Sequence, residues 1–383
     1  MSVVDLFSFE TMALAIVTAL FLIGYAILIS FYHNAWKKQQ SFRSDLQHFS
    51  TSVSVVIAAR NEQENIELLL TDIFNQHYPG DLYEIIVVDD FSTDNTREII
   101  TQKFPLVKLL KPHVSPENSS KKIAIATGVN FASGELIVVT DADCRVPENW
   151  LSTIASFFEN YKPFFIAAPV RFEHNNSLLQ RFQALDFLIL QGITAASVSS
   201  GFHNMCNGAN LAYTKQSFVD VKGFQNIDAV ASGDDMLLMH KIWKLNPNKI
   251  SFVKSGEAIV TTHPMKTWSG FFSQRRRWAS KTLIYEDRKI VLVLAFVYFF
   301  NLLSVILIVF SLLNSKYWLL TLVYLFSKPL IEYGFVSSVS KFYGDKQLLP
   351  YLFLYQPLHI FYTIFVGFIS QFGKYEWKGR RTK

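Results

Sequence analysis

The chain has 383 residues, 50% of them hydrophobic, and a mean hydropathy of +0.21, which is high for a soluble protein and leaves room for one large domain plus a further segment. Its formal net charge of +5 gathers beside apolar segments, a pattern that suits an anionic membrane surface and argues against nucleic acid as a partner. Its cysteines are Cys144 and Cys206, too few for a disulfide framework or a Cys-based zinc site, and consistent with a reducing compartment.

From Thr11 to Tyr32 there is no charged side chain, so this run is long enough to cross a bilayer. Asp5 and Glu10 precede it and Lys37, Lys38 and Arg43 follow it. That polarity is the reverse of a secretory signal. It predicts an uncleaved anchor with the following residues in the cytoplasm.

Strands and helices then alternate. Ser54–Ala59 reads as a buried strand that runs into Arg60-Asn61-Glu62, and Ile66–Phe74 as an amphipathic helix. Glu84–Val88 is the second strand, ending in Asp89-Asp90, and Thr93 or Asp94 can cap the helix that continues through Ile100. Leu106–Leu110 is a third short strand, His113–Ser120 a loop and Lys121–Phe131 a helix. Leu136–Val139 is a fourth strand, and it runs into Asp141-Ala142-Asp143. This alternation predicts a mostly parallel sheet covered on both faces, with its polar strand ends on one edge, where ligands bind in open α/β sheets. Two carboxylates one residue apart at such an edge repel each other unless a cation lies between them. Hard ions such as Mg²⁺ or Mn²⁺ take carboxylate oxygens and often carry a diphosphate as well.

After Trp150 the pattern changes. Leu178–Val198 is apolar and helical, but Arg181 and Asp186 interrupt it, which favours a helix lying on the sheet or the bilayer surface. Asn207-Gly208-Ala209-Asn210 and Ser232-Gly233-Asp234-Asp235 follow, the second opening a helix through Trp243. Asp234 and Asp235 suit a first helical turn simply as caps. Gln274-Arg275-Arg276-Arg277-Trp278 precedes three apolar segments, Ile290–Leu313, Tyr317–Ser338 and Pro350–Phe372. Lys328 and Glu332, four apart, share a helical face and suit a pair inside a bundle. Three full crossings after a cytoplasmic middle would put the basic tail, Lys374–Lys383, outside. Either one segment is interfacial or re-entrant, or the positive-inside rule fails here.

Together these motifs resemble family-two glycosyltransferases of the GT-A fold, in their membrane-bound, processive-like branch with a Gln-x-x-Arg-Trp motif. The resemblance covers about Val53 to Lys281 and rests on seven motifs in family order: Arg60-Asn61-Glu62, Asp89-Asp90-x-Ser92-x-Asp94-x-Thr96, Lys122 before a helix, Asp141-x-Asp143, Gly208-Ala209-Asn210, Gly233-Asp234-Asp235 and Gln274-x-x-Arg277-Trp278. It implies an α/β, Rossmann-like nucleotide-sugar domain over residues 51–285, between an anchor and basic linker (1–50) and C-terminal membrane segments (286–383).

By that resemblance, Asp89 and Asp90 meet the nucleoside, Lys122 neutralises diphosphate, and Asp141 and Asp143 hold Mg²⁺ or Mn²⁺. Asp235 is the catalytic base with Asp234 beside it. Gln274, Arg277 and Trp278 hold the acceptor end and the donor diphosphate, and Arg60 and Glu62 belong to the substrate-binding set. Two departures stand out: Asp-Asp replaces the usual Glu-Asp at 234–235, and Thr262-His263-Pro264 replaces Thr-Glu-Pro.

The implied activity is inverting transfer from a UDP- or GDP-sugar to a glycan or lipid-linked acceptor in envelope polysaccharide or glycolipid synthesis. It would take place at the inner (cytoplasmic) membrane, with the catalytic domain cytoplasmic. The rivals are a polyprenyl-phosphate glycosyltransferase, a small transporter built on the C-terminal segments, and a non-catalytic nucleotide-sugar-binding protein.

Overall fold

The computed structural model describes residues 9–45, 48–116, 119–175, 177–227, 233–281, 285, 287–372, 375–377 and 380–382. Asn118 in the expected loop, Ser232 in the Gly-Asp-Asp motif, and Lys374, Lys378 and Lys383 of the basic tail lie outside the described residues. The chain divides into two compact units. One joins residues 39–175, 197–264 and 374–383, and the other joins 1–38, 176–196 and 265–373.

In the first, α/β unit, the chain order is β1 (Val53–Ala59), α2 (Ile66–Phe74), β2 (Tyr83–Asp89), α3 (Thr96–Lys103), β3 (Lys108–Leu110), α4 (Lys121–Phe131), β4 (Leu136–Asp141) and α5 (Trp150–Tyr161). The label α1 belongs to the N-terminal helix Phe9–Lys38 of the other unit. Then come β5 (Phe165–Ala167), β6 (Val170–Phe172), β7 (Leu211–Thr214), α7 (Lys215–Asp220), α8 (Met236–Leu245), β8 (Ile250–Phe252) and β9 (Val260–Thr262). A helix α6 (Leu178–Ser200) leaves this unit and returns to it.

Seven strands form one sheet in the order β3-β2-β1-β4-β7-β5-β8. The β-branched runs of β1, β2 and β4 are its buried centre; Val55, Val56 and Ile57 are fully covered. Helix α4 lies so close over β1 that a Cβ on Gly128 would come within 2.5 Å of Val56 Cγ1.

β1 to β4 are mutually parallel where they pair. β7 is not: it runs antiparallel to both β4 and β5, so the sheet is mixed rather than mostly parallel. The reason lies in the approach to β7. The chain arrives along the polar edge, where Thr140 donates to the Ala209 carbonyl at 2.8 Å, and must run back across the sheet.

Because β1 is followed by β2 on one side and flanked by β4 on the other, the strand order reverses at β1, which is where such sheets open a crevice. The register sets Ala59 opposite Asp89 and Ala58 opposite Asp141, so both acidic strand ends flank the end of β1. At the far edge, β8 is covered by the linker: Phe42 N donates to the Lys254 carbonyl and Gln39 Nε2 to the Phe252 carbonyl, each at 2.8 Å.

The second, helical unit holds α1, the part of α6 through Ala196, α9 (Trp268–Ala279), α10 (Arg288–Leu313), α11 (Trp318–Tyr343), α12 (Tyr351–Leu354) and α13 (Gln356–Ile369). Residues 176–196 and 265–281 therefore group with the helices, not with the α/β unit that the sequence bounded at 51–285. Four described helices are long and apolar enough to cross a membrane: α1, α6, α10 and the stretch Ser315–Tyr343. The third apolar C-terminal segment is not a continuous span. Tyr355 separates α12 from α13, and Pro357 sits in the first turn of α13. Lys328 and Glu332 pair at 2.7 Å, and Gln356 completes the group by accepting from Lys328 and donating to Glu332.

Candidate active site

Three loops meet at the crevice of the α/β unit. After β1, Arg60 Nη1 donates to the Asp90 carbonyl at 2.8 Å, and Asn61 takes a left-handed φ of 54°. That turn is knitted to the loop after β2. Asn61 N donates to Ser92 Oγ, Glu62 N to Thr96 Oγ1 and Gln63 N to Asp94 Oδ2. Asp94 also accepts from Thr96 N at 3.0 Å. Burial pushes the Asp94 carboxyl up, but the Thr96 and Gln63 donors outweigh it and hold the group below its ordinary range. The Ser92 and Thr96 spacing therefore has a structural use: it ties two strand ends into one rigid rim.

Asp89 and Asp90 are both buried. Asp89 Oδ1 accepts from Ser92 N at 3.1 Å, and its Oδ2 lies 3.7 Å from Arg97. Glu62 accepts from Asn65 Nδ2 at 2.8 Å, which makes it a helix-start group.

The electrostatic centre is a lysine among carboxylates. Lys121 Nζ lies 2.5 Å from Asp141 Oδ1 and 3.2 Å from Asp234 Oδ2. Burial alone would lower the pKa of this ammonium; Asp141, Asp234 and Asp235 together raise it above its ordinary value and keep it charged. Lys122, the neighbour that the resemblance assigns to the diphosphate, is buried and donates to the Ile227 carbonyl.

Asp235 is held by two backbone donors, Met236 N at 2.7 Å and Gly208 N at 3.0 Å. It thus caps α8 and also faces the Gly208 turn. A side chain at residue 208 would crowd this centre, because its Cβ would lie 3.0 Å from Lys121 Nζ and 3.4 Å from Asp234 Oδ2. An added methyl group there would make these side-chain ends give way by a few tenths of an ångström. Asn210, two residues on, is structural: it accepts from Trp150 Nε1 and donates to the Pro169 and Ala258 carbonyls.

Asp143 sits at the turn after β4, beside the buried Cys144. Burial, then Asp143 and Asp141, push the Cys144 thiol well up, so it stays protonated and packs as a small apolar group. His263 lies 3.3 Å from Glu173, both about half exposed.

Gln274, Arg277 and Trp278 belong to the helical unit, on α9, whose N-cap Thr267 accepts from Gly270 N. The Trp278 ring rests on the Arg275 guanidinium at 4.3 Å, and Gln274 Oε1 is buried without a hydrogen-bond partner among the described residues.

Among the described residues no three His, Cys, Asp or Glu side chains converge into a closed metal cage. The donor set fits a hard divalent ion of another kind. Mg²⁺-type sites use one or two carboxylates and complete the shell with water and substrate phosphates. Asp141 and Asp143 would supply such oxygens, and the cation Lys121 resting on Asp141 marks the spot as one that draws positive charge.

Residues 54–218 match the family model described as Glycosyl transferase family 2. Over 184 residues the chain is 28% identical to Glycosyltransferase AglE of Haloferax volcanii, covering 48% of this chain and 58% of that protein. Over 277 residues it is 26% identical to the Poly-beta-1,6-N-acetyl-D-glucosamine synthase of Staphylococcus epidermidis, covering 68% of this chain and 64% of that one. The chain thus spans less than two thirds of the length of these relatives. Among solved structures, the mannosyltransferase PcManGT from Pyrobaculum calidifontis, in complex with GDP-Man and Mn²⁺, aligns with a TM-score of 0.57 at 18% identity over 91% of this chain and 99% of that one. At that identity the likeness concerns the fold. Residues 54–218 thus form a glycosyltransferase family 2 domain, within an α/β unit of GT-A-like fold with a mixed sheet.

Proposed function

We propose that the protein is a membrane-anchored inverting glycosyltransferase that moves a sugar from a UDP- or GDP-sugar to a glycan or lipid-linked acceptor in cell-envelope synthesis. The observation that carries this reading is the cluster of Lys121, Asp141, Asp234 and Asp235 at the crevice where the strand order reverses. In this reading Asp89 and Asp90 hold the nucleoside. Asp141 and Asp143 hold a Mg²⁺ or Mn²⁺ ion, which when bound neutralises charge on the departing diphosphate.

Lys121 is the chain's own cation at the same oxygens. It turns from Asp141 toward the diphosphate as negative charge develops there. Asp235 takes the proton of the acceptor hydroxyl. Its two backbone donors fix the carboxylate in one orientation, which a general base requires. One base and one displacement invert the anomeric centre, so no second carboxylate acts as nucleophile. Asp234 steadies Lys121. Gln274, Arg277 and Trp278 are assigned to the acceptor end and the diphosphate on the strength of the motif alone.

The α/β unit is cytoplasmic at the inner membrane, with α1, α10 and α11 crossing. A second reading, transfer to a polyprenyl phosphate, is favoured by one observation. The helical unit contains a cavity of about 720 Å³ between α10, α11 and α13, lined by apolar side chains such as Ile308, Leu325, Phe326 and Ile364, with Gln356 as a polar member.

The test is nucleotide release by the purified full chain in detergent across a panel of UDP- and GDP-sugars, with Mg²⁺, Mn²⁺ or EDTA, followed by lipid extraction. Release from one donor that EDTA abolishes supports the first reading, and a sugar-bearing lipid phosphate in the extract favours the second. Release from no donor overturns both.

A further inference from the structure

α9 carries the Gln-x-x-Arg-Trp motif, yet the charged side chain it buries is one the motif leaves unspecified. Arg275 is 3% exposed, and its Nη2 donates to Asp186 Oδ2 on α6 at 2.7 Å. Asp186 is 4% exposed, and its other oxygen accepts from the Tyr362 hydroxyl on α13 at 2.6 Å. His359, about one turn earlier on α13, places Nε2 3.9 Å from that oxygen. Three helices of one unit thus meet at a single carboxylate.

The guanidinium itself is only half satisfied. Its Nε and Nη1 have no hydrogen-bond partner among the described residues. Instead its carbon lies 4.3 Å from the Trp278 ring centroid and 5.1 Å from that of Phe271. Phe187, the residue after Asp186, reaches Trp278 at 6.1 Å between centroids. A buried pair kept for stability alone is a poor choice, since apolar side chains of similar volume serve as well or better. Unmade hydrogen bonds on the arginine make it poorer still. What arginine offers here is a flat cation that stacks, which lysine does not.

We propose that Asp186 and Arg275 are positioning residues whose task is to hold the Trp278 indole in a single orientation for the acceptor, with Tyr362 fastening Asp186 from α13. Asp186 fixes where the guanidinium lies; the guanidinium on one face and Phe187 beside it fix the ring. The task for the indole rests on the proposed function, while the positioning itself is a property of the helical unit and can be measured without substrate.

The experiment labels the full chain in detergent with 5-fluorotryptophan and assigns the Trp278 fluorine resonance by its loss in Trp278→Phe. The unaltered chain gives one narrow line. Asp186→Asn, which keeps an acceptor for Tyr362 but removes the charge, splits that line or broadens it at least twofold. Arg275→Lys, which keeps the charge pair but not the stack, does the same at a nearly unchanged melting temperature. The double variant Asp186→Leu with Arg275→Leu removes both charges; it restores the melting temperature lost in Asp186→Asn while the Trp278 line stays split. A single narrow line in Arg275→Lys or in the double variant overturns the proposal, because the pair would then serve stability only. Calorimetry of UDP and GDP with Mn²⁺ on the unaltered chain reads the proposed function separately. Absence of nucleotide binding would overturn that function and leave the fluorine result standing on its own.

Discussion

Replacing Lys121 by methionine should have two effects of opposite sign. The Lys121 ammonium lies 2.5 Å from Asp141 Oδ1 and 3.2 Å from Asp234 Oδ2. A divalent ion approaching Asp141 must repel or displace it. Two unit charges about 4 Å apart interact by roughly 4 kcal/mol at an effective dielectric of about 20. The partners are not dry: the side chains of Lys121 and Asp141 are 20% and 34% exposed, so screening removes much of that value. A third of it, about 1.4 kcal/mol, is a tenfold change in affinity. Lys121→Met should therefore bind Mn²⁺ at least about tenfold more tightly without nucleotide, by calorimetry on the full chain in detergent. Its nucleotide release should fall by at least about tenfold, because the lost cation acts where charge develops on the diphosphate. Lys122→Met is the control. It strips the donor from the Ile227 carbonyl and should destabilise by about 1–3 kcal/mol without changing Mn²⁺ affinity. Unchanged or weaker Mn²⁺ binding by Lys121→Met would refute the reasoning.

Asp235→Asn should lower kcat by at least about a hundredfold with donor affinity nearly unchanged, and Asp234→Asn should lower it less. A pure capping role for Asp235 would instead cost about 1 kcal/mol of stability and leave kcat alone, so kcat and melting temperature together decide. Glu84 gives a pH signature. Burial works to raise its carboxyl pKa, but Lys108, Ser54 and Ser133 hold it down at about 2 against an ordinary 4.5. Its stabilising effect is present above about pH 4.5 and fades as pH falls toward about 2. Glu84→Gln should thus lose about 2 kcal/mol near neutrality, discounted for the exposed Lys108, and this difference should narrow in acid. For topology, Lys111→Cys in a Cys206→Ala background should resist an impermeant thiol reagent in intact cells, and Ser315→Cys should react; the opposite pattern would invert the assignment.

Much of the α/β unit is legible in the sequence because short periodic runs settle it. Ile66–Phe74 and Lys121–Phe131 are helices with the bounds their patterns predict. The direction of β7 is not legible, because four residues carry no mark of parallel or antiparallel pairing; the return path over Ala209 decides it. The choice between Lys121 and Lys122 is equally hidden. One shares its helix face with Gly128 and the other with Val129, and both of those are buried. Helical period cannot say which lysine enters the core and which meets the carboxylates. The position of Asp186 shows the same limit: a charge interrupting an apolar helix is visible in the sequence, but its partner Arg275 lies 89 residues away.

The apolar segments carry the argument one step further. By length and composition α1 and α6 both qualify as spans, yet 17% of the apolar window of α1 is buried within the protein against 78% of that of α6. A helix whose apolar surface is consumed by protein contacts has little left to offer lipid, which is why the proposed topology leaves α6 out as a crossing. α13 drops out on length: 14 residues rise about 21 Å, short of a hydrocarbon core of about 30 Å. It also turns Tyr362 toward Asp186. The proposed topology then keeps three crossings, α1, α10 and α11. An odd number after an outside start leaves the α/β unit and the chain beyond α11 on the same side. On this reading the basic tail is cytoplasmic, and the positive-inside rule no longer conflicts with the anchor. The Ser315→Cys measurement bears directly on it, since Ser315 lies in the turn that joins α10 to α11 and must then face outward.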